Sequence, residues 1–203
     1  QADLNDDGKY DLVYLEGTPQ ATVHSLVNAG NGKFSDAQTV QLPMSFGGKI
    51  TTADVNGDAK IDLLIGSWAA DIQVVVLLGN GDGTFGTPMI SDLGPATPNW
   101  SVIRSGFGVA DLNHDGNMDL VAPDAQDGYV YVLLGDGTGK FSLSSRNYNG
   151  SAPADIVSLD LNRDGNPDFV IRGALGADVY VYLGNSNGTL QMPARYTGTH
   201  YIT

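Results

Sequence analysis

Short apolar runs separated by polar turns recur along the whole chain. In each of four units, one apolar run starts at an aspartate, and a longer run rich in Val, Leu and Tyr follows it. The longer runs are nearly continuous in apolar residues, which is typical of strands that are buried on both faces. The pattern therefore predicts strands over residues 11–15, 62–66, 119–123 and 168–172, and over residues 21–28, 72–79, 129–135 and 178–184.

The segments between these runs complete a four-stranded unit. An apolar lead-in strand precedes the aspartate at residues 49–54, 107–111 and 156–160. Turns rich in Gly, Asn and Asp follow the longer runs and predict hairpins. No window has a helical period over three turns, so the pattern predicts an all-β chain. The predicted fourth strands start at Lys33, Thr84, Lys140 and Thr189.

A nine-residue acidic stretch lies between the first and second strand of every unit. In residues 111–119, Asp, Asn, Asp and Asp occupy positions 1, 3, 5 and 9, and Gly116 occupies position 6. The same spacing begins at Asp3, Asp54 and Asp160, at intervals of 51, 57 and 49 residues. A period near fifty indicates one supersecondary unit used repeatedly. We assign one domain with repeats at about residues 1–45, 46–97, 98–152 and 153–203.

These loops have the oxygen spacing of a calcium site. Ca²⁺ takes about six to eight oxygen ligands, and odd loop positions plus a position-7 backbone carbonyl supply most of them. Ala59 replaces Gly at position 6 of the second loop, where a left-handed backbone would cost about 1 kcal/mol and weaken the site. The predicted ligands are Asp3, Asn5, Asp7, Lys9 and Asp11; Asp54, Asn56, Asp58, Lys60 and Asp62; Asp111, Asn113, Asp115, Asn117 and Asp119; and Asp160, Asn162, Asp164, Asn166 and Asp168.

Composition agrees with a metal-binding role. The formal net charge is −13, and twelve of the 23 acidic residues are loop aspartates, so four Ca²⁺ ions would bring the charge to −5. We therefore expect no nucleic-acid partner. There is no cysteine for disulfides, and no run of eighteen apolar residues for membrane insertion. The chain begins at Gln1 rather than Met, which we interpret as a mature or trimmed product.

With Phe-Gly at residues 46–47, 85–86 and 107–108 and the four acidic loops, the chain resembles the FG-GAP/VCBS repeat family. That family comprises the calcium-loop propellers of the integrin α-subunit head and of many secreted bacterial proteins. The resemblance implies a β-propeller of four-stranded antiparallel blades, with four repeats and a secreted or cell-surface location. One departure is Leu190, which replaces the usual Phe of the fourth hairpin.

The two termini match one strand. Residues 201–203 followed by 1–3 superpose on residues 49–54, with Asp3 on Asp54. We favour closure of the ring within the chain, where Tyr201–Thr203 complete the first blade. Two other arrangements fit: the strand completes a neighbouring copy, or the chain is part of a longer array, since this family commonly has seven blades.

The face opposite the calcium loops is the expected ligand face. It would gather Trp68, Trp100, Asp124 and Arg172 from connections between strands and blades. Exposed Trp suits sugar stacking or protein contact, although both tryptophans could instead plug the propeller channel. Asp124 and Arg172 could form a surface ion pair. We expect a binding or adhesion module for a glycan or protein. The alternatives are an assembly unit of an oligomer or fibre and a domain of a polysaccharide-active enzyme.

Other chemistry has little support in the sequence. His24, His114 and His200 have no zinc spacing, and Glu16 has no evident acid–base partner, so we expect no catalytic activity. A helical calcium switch would need Glu at loop position 12, where this chain has Tyr14, Ile65, Ala122 and Ile171. The sequons at Asn99, Asn149 and Asn187 are about as frequent as chance allows, so they carry little weight for glycosylation.

Overall fold

The fold is all-β, as the hydrophobic pattern predicts. The computed structural model describes residues 2–17, 20–43, 48–66, 68–69, 71–95, 101–103, 105–124, 126, 128–148, 153–173 and 178–197, and at 68–69, 71–72, 95 and 101–102 only the backbone. Within these ranges, every secondary-structure element is a strand. No helix in this part of the chain has the length and apolar character needed to cross a membrane.

The strands form four main antiparallel sheets in chain order. Sheet 1 contains β1 (Leu12–Glu16), β2 (Thr22–Gly30) and β3 (Lys33–Gln41). Sheet 2 contains β4 (Ile50–Ala53), β5 (Asp62–Gly66), β7 (Asp71–Leu77) and β8 (Met89–Pro95). Sheet 3 contains β10 (Gly108–Ala110), β11 (Asp119–Pro123), β12 (Tyr129–Gly135) and β13 (Phe141–Tyr148). Sheet 4 contains β14 (Pro153–Leu159), β15 (Asp168–Gly173), β16 (Asp178–Tyr182) and β17 (Ala194–Thr197). A separate two-stranded ribbon pairs β6 (Trp68–Ala69) with β9 (Ser101–Val102).

Two fourth strands begin later than the sequence predicts. After each hairpin of sheets 2 and 4, a single bridge forms, Gly79 with Phe85 and Gly184 with Leu190. Regular pairing resumes only at Met89 and Ala194, directly after Pro88 and Pro193. Proline has no N–H to donate to a ladder, so each strand is interrupted before it. The predicted starts at Thr84 and Thr189 are therefore wrong, whereas those at Lys33 and Lys140 agree within one residue.

The core consists of three apolar layers between consecutive sheets. Strands β5 and β11 are buried at every residue. Burial on both faces, predicted for the third strands, is confirmed at residues 73–77 of β7 and 130–133 of β12. It is wrong for β2, where buried and partly exposed residues alternate at the start of the strand. Side chains alternate between the two faces of a strand, so Leu63 and Ile65 pack towards sheet 1 while Leu64 packs towards sheet 3. A third cluster, which includes the fully buried Phe169, packs sheet 3 against sheet 4. Each inner sheet is thus covered on both sides.

Sheet 1 has three strands among the described residues. Its innermost position is represented by one bridge, in which Asp11 N donates to Ala2 O at 2.7 Å. Closure of the ring by Tyr201–Thr203 concerns residues outside the described ranges, so it stays a prediction.

Candidate metal centres

The first residue of every acidic loop is an aspartate that accepts the backbone N–H groups of positions 5 and 6, and Asp54 also accepts that of Gly57 at 2.8 Å. In the third loop, Asp115 N donates to Asp111 Oδ1 at 3.1 Å, and Gly116 N donates to Asp111 Oδ2 at 2.9 Å. The equivalent bonds in the other three loops measure 2.8–3.2 Å. The chain therefore folds around the position-1 carboxylate in the same way four times.

Positions 3 and 5 close smaller turns inside the same loop. Asn113 Oδ1 accepts from Asp115 N at 3.1 Å, and Asp115 Oδ1 accepts from Asn117 N at 2.8 Å. Both are side-chain turns of the kind that Asn and Asp favour, and both recur in every loop. The residues predicted as ligands at positions 1, 3 and 5 are thus brought together within one short loop.

The ninth aspartate joins the loop to the third strand of its sheet. Asp119 is fully buried, and its Oδ2 accepts from Leu112 N while its Oδ1 accepts from Gly135 N, both at 2.9 Å. Asp11, Asp62 and Asp168 make the same pair of bonds. The spacing of Asp and Asn predicts only a metal-binding role for this ninth aspartate. The sequence signal for its structural role is its position at the start of a buried strand.

Negative charge accumulates around these buried carboxyls. Burial raises the pKa of Asp62, and the charges of Asp58 and Asp54 raise it further, although backbone hydrogen bonds from Gly79 and Val55 oppose the shift. The pKa of Asp119 is raised for the same reasons. By contrast, the pKa of each exposed position-5 carboxyl is lowered. The backbone N–H of residue 117 lowers the pKa of Asp115, for example. A cation in the loop would relieve the repulsion at the ninth position.

In two loops, a lysine side chain of the loop itself lies near the position-5 carboxylate. Lys9 Nζ lies 2.7 Å from Asp7 Oδ2, and this hydrogen bond lowers the pKa of Asp7. Lys60 Nζ lies 3.7 Å from Asp58 Oδ2. The third and fourth loops have Asn at position 7 instead, so no lysine ammonium lies against the position-5 carboxylate in these two loops.

Each loop has two left-handed backbone positions, 4 and 6. In the third loop these are His114, with φ 59°, and Gly116, with φ 89°. The second loop has Gly57 (φ 73°) at position 4 and Ala59 (φ 64°) at position 6. The left-handed backbone predicted at Ala59 is confirmed. However, every loop has one glycine and one other residue at these positions, since Asp6 and Arg163 also have positive φ. Backbone strain is therefore no reason to expect a weaker second loop.

The donor set of each loop suits a hard divalent cation. Within the described residues, no group of three or more acidic, histidine or cysteine side chains could hold a metal by itself. A calcium loop also draws on Asn and main-chain oxygens, and each loop here has Asp at positions 1, 5 and 9, Asn at position 3 and a backbone carbonyl at position 7. In the third loop, Asp115 N donates to both Asp111 Oδ1 and Asn113 Oδ1, so the side-chain oxygens of positions 1 and 3 lie close together.

The residues predicted for a ligand face do not form one group in the described structure. Asp124 is fully buried and its Oδ1 accepts from Gln126 N at 2.8 Å, so it stabilises its own turn instead of facing a ligand. Arg172 is exposed and binds Asp155 Oδ2 through Nε at 3.1 Å and Nη2 at 2.9 Å, so its partner is not Asp124. The backbone of Trp68 pairs with Val102, while its side chain and the whole of Trp100 lie outside the described part.

Solved structures with a similar fold are distant in sequence. A BBS1N chain, solved in complex with ARL6DN and soaked with lead, has a TM-score of 0.59 and 18% identity, over 97% of this chain and 55% of that one. A protein from Lactobacillus plantarum has a TM-score of 0.66 and 14% identity, over 96% and 55%. The present chain spans about half the length of these proteins. Such similarity establishes the β-propeller fold, with each sheet as a blade.

Sequence comparison identifies the repeat. No curated protein matches the chain. A family model described as an FG-GAP-like repeat matches three overlapping segments, residues 3–65, 54–122 and 111–171. Each segment runs from one acidic loop through the next loop to the strand that follows it, so the matched unit contains the loops described above. The chain therefore belongs to the FG-GAP-like repeat family.

Proposed function

We propose that this chain is an extracellular binding or adhesion module whose β-propeller is stabilised by Ca²⁺ in its four acidic loops. The observation that carries the proposal is the repeated hydrogen bonding of the loops. All four wrap around an aspartate at position 1 and connect to the third strand through an aspartate at position 9. An ion held there would link the loop, the start of the second strand and the end of the third.

The third and fourth loops are the stronger proposed sites. Neither has a lysine against its position-5 carboxylate, whereas Lys9 and Lys60 partly neutralise Asp7 and Asp58. Asn113 Nδ2 and Asn162 Nδ2 instead donate to Asp115 and Asp164 at 2.9 and 2.8 Å. We expect ions to fill these two loops first when calcium is added to metal-free protein.

Thermal unfolding with and without calcium tests the proposal. Calcium at about 100 times the dissociation constant adds about 2.7 kcal/mol per occupied site, provided that the unfolded chain does not bind it. We expect a higher melting temperature in millimolar Ca²⁺ than in EDTA, and a smaller difference in Asp115→Asn, which loses one loop charge. Asp36→Asn is the matched control, because Asp36 is an exposed aspartate of β3 outside the loops. Equal melting temperatures for the wild type in both buffers would contradict calcium stabilisation.

Binding is tested separately on the face opposite the loops. Wild-type protein in calcium is applied to arrays of glycans and extracellular-matrix proteins, alongside Trp68→Ala and Trp100→Ala. We expect one ligand class to be retained by the wild type and lost by at least one of the two variants. Tyr148→Ala, at an exposed aromatic residue of β13, serves as the control. Turnover of a glycan, or failure of the wild type to retain any probe, would contradict the proposed binding role. Binding that survives both substitutions would contradict the placement of the site at the two tryptophans.

A further inference from the structure

The second acidic loop differs from the other three in the residue that follows its position-3 asparagine. In this loop Gly57 follows Asn56, and the other loops have the pairs Asn5–Asp6, Asn113–His114 and Asn162–Arg163. Because glycine has no side chain, its backbone nitrogen can approach the side chain of a preceding asparagine without hindrance. An Asn–Gly pair is therefore the dipeptide in which asparagine deamidates most readily, and the second loop alone among the four contains it.

Deamidation of this pair needs only water. The backbone nitrogen of Gly57 gives up its proton and attacks Cγ of Asn56, the Cγ–Nδ2 bond breaks, and the side-chain nitrogen leaves as ammonia. Water then opens the cyclic imide that results. Opening at Cγ yields aspartate, and opening at the main-chain carbonyl carbon yields isoaspartate, in which the chain runs through the former side chain. The net reaction consumes water and releases ammonia, with no oxidation or reduction.

Asn56 meets two conditions for this reaction. Gly57 is exposed and Asn56 is partly exposed, so water reaches both residues. Within the described residues, Asn56 Nδ2 donates no hydrogen bond. The equivalent nitrogens of the third and fourth loops donate to the position-5 aspartate at 2.9 and 2.8 Å, whereas the position-5 carboxylate of the second loop lies near Lys60. The leaving group of Asn56 is thus not held by its loop.

A hydrogen bond holds the attacking nitrogen in place. Gly57 N donates to Asp54 Oδ1 at 2.8 Å. In the other three loops, the hydrogen bonds described for the position-1 aspartate come only from positions 5 and 6. Attack requires that this nitrogen lose its proton, and the nearby carboxylate opposes the loss because its negative charge stabilises the N–H group. Asn56 Oδ1 is held as well, since it accepts from Asp58 N at 3.1 Å.

We propose that Asn56 is a site of spontaneous deamidation, which the hydrogen bonds of the second loop protect and which opening of that loop exposes. The fold does not require glycine beside it. Asp6, His114 and Arg163 adopt the same left-handed backbone at this position, and a Cβ on Gly57 would meet nothing within 4 Å. The modification itself needs no metal, whereas protection by calcium rests on the proposed function.

The isoaspartate product changes the second loop. It adds a methylene group to the main chain between positions 3 and 4, and it takes Oδ1 of Asn56 into a backbone carbonyl. The turn in which this oxygen accepts from Asp58 N can then no longer form in the same way. We expect modified protein to lose the second loop as a cation site, while the other three loops keep their covalent structure.

Peptide mapping by mass spectrometry tests the proposal. Wild-type protein is incubated at neutral pH in EDTA or in calcium, digested, and analysed for aspartate and isoaspartate at residue 56. We expect conversion in EDTA and slower conversion in calcium. Calcium at about 100 times the dissociation constant reduces the open population about a hundredfold. Asn31, in an exposed Asn–Gly pair between β2 and β3, serves as the internal reference and should convert equally in both buffers.

Two variants separate the chemistry from the protection. Gly57→His gives the second loop the residue of the third and should remove conversion of Asn56 but not of Asn31. Asp54→Ala removes the acceptor of Gly57 N and should speed conversion severalfold in EDTA. Asp111→Ala, the same change in the third loop, is the matched control and should leave the rate at Asn56 unchanged. Circular dichroism checks that each variant is folded.

Three results would overturn the proposal. These are an Asn56 that stays intact in EDTA while Asn56 of denatured protein converts, conversion that persists in Gly57→His, and equal rates in Asp54→Ala and Asp111→Ala. If calcium raises the melting temperature without slowing conversion, protection by the closed loop is wrong. If calcium changes neither, the proposed calcium role fails, and the comparison of the two alanine variants in EDTA still decides whether the loop protects Asn56.

Discussion

At the scale of single residues, the acidic loops depend on a left-handed backbone at two positions. Glycine adopts this conformation freely, whereas another residue pays about 1–2 kcal/mol for it. Each loop has only one glycine at these two positions, so His114, Arg163, Asp6 and Ala59 adopt the conformation at a cost. Short polar turns around the position-1 carboxylate hold them there.

Ala59→Gly is expected to stabilise the protein by about 0.5–1 kcal/mol, because removing the strain outweighs the greater freedom of glycine in the unfolded chain. Gly57→Ala, two residues earlier in the same loop, should destabilise it by a similar amount. A Cβ at Gly57 would meet nothing within 4 Å, so the effect would come from the backbone alone. Urea unfolding of both variants in EDTA measures the two changes, and effects of equal sign would contradict this explanation.

Asp119→Asn separates the structural role of the ninth position from metal binding. Both carboxylate oxygens of Asp119 accept a backbone N–H. In the asparagine variant, the side-chain NH₂ group would replace one of these oxygens and face a backbone N–H donor in a buried site. We expect a loss of about 1–2 kcal/mol even in EDTA, since an unpaired buried donor costs about 1–3 kcal/mol and relief of the charge offsets part of it. Chemical denaturation against the Asp36→Asn control measures the difference. Unchanged metal-free stability would show that the residue acts only through metal.

At the scale of elements, a glycine at the end of the third strand of a blade allows the acidic loop to lie close against that strand. The N–H groups of Gly79, Gly135 and Gly184 donate to the ninth aspartates of their blades. A Cβ at any of the three would overlap the carbonyl oxygen of loop position 8. The first blade has Asn28 at this place, and Asn28 Nδ2 donates to the Tyr10 carbonyl at 3.0 Å.

Gly135→Ala is therefore expected to destabilise the protein by about 1–3 kcal/mol, the usual cost of overpacking. The added methyl would push the loop carbonyl of Met118 away and disturb the bond between Gly135 and Asp119. Gly86→Ala is the control, since its Cβ would make only an ordinary contact at 3.7 Å with Leu78 O. Thermal melts compare the two, and a Gly135→Ala protein as stable as the control would contradict the close approach.

The hydrophobic pattern of the sequence predicts the buried strands, and the spacing of polar residues predicts the acidic loops. The bounds of β5 and β11 follow from apolar runs, and the four loops from the spacing of Asp and Asn. Other features depend on contacts that no local pattern reports. Asp124 is of a residue type that usually lies exposed in turns, but here it is buried and accepts a hydrogen bond from its own turn. The left-handed position 4 is occupied by Asp, Gly, His and Arg, so residue type gives no signal there.

At the scale of the whole molecule, protection of backbone amides from hydrogen exchange is expected to decrease from the inner blades to the end blades. Strands β5 and β11 are fully buried, whereas β17 is exposed along its whole length. Hydrogen exchange should therefore be slowest in β5 and β11 and fastest in β17. Uniform protection across all four blades would instead indicate a single cooperative unit.

The shared register of the blade interfaces has a consequence for the evolution of such chains. In sheets 2, 3 and 4, the first and third residues after the ninth aspartate pack on the preceding blade, and in sheets 2 and 3 the second residue packs on the following blade. Because the blades share these positions, an extra copy of the repeat would find matching surfaces on both sides. Genes of this kind can thus gain or lose whole repeats by duplication or deletion without a redesigned interior, and ring size is then decided by curvature.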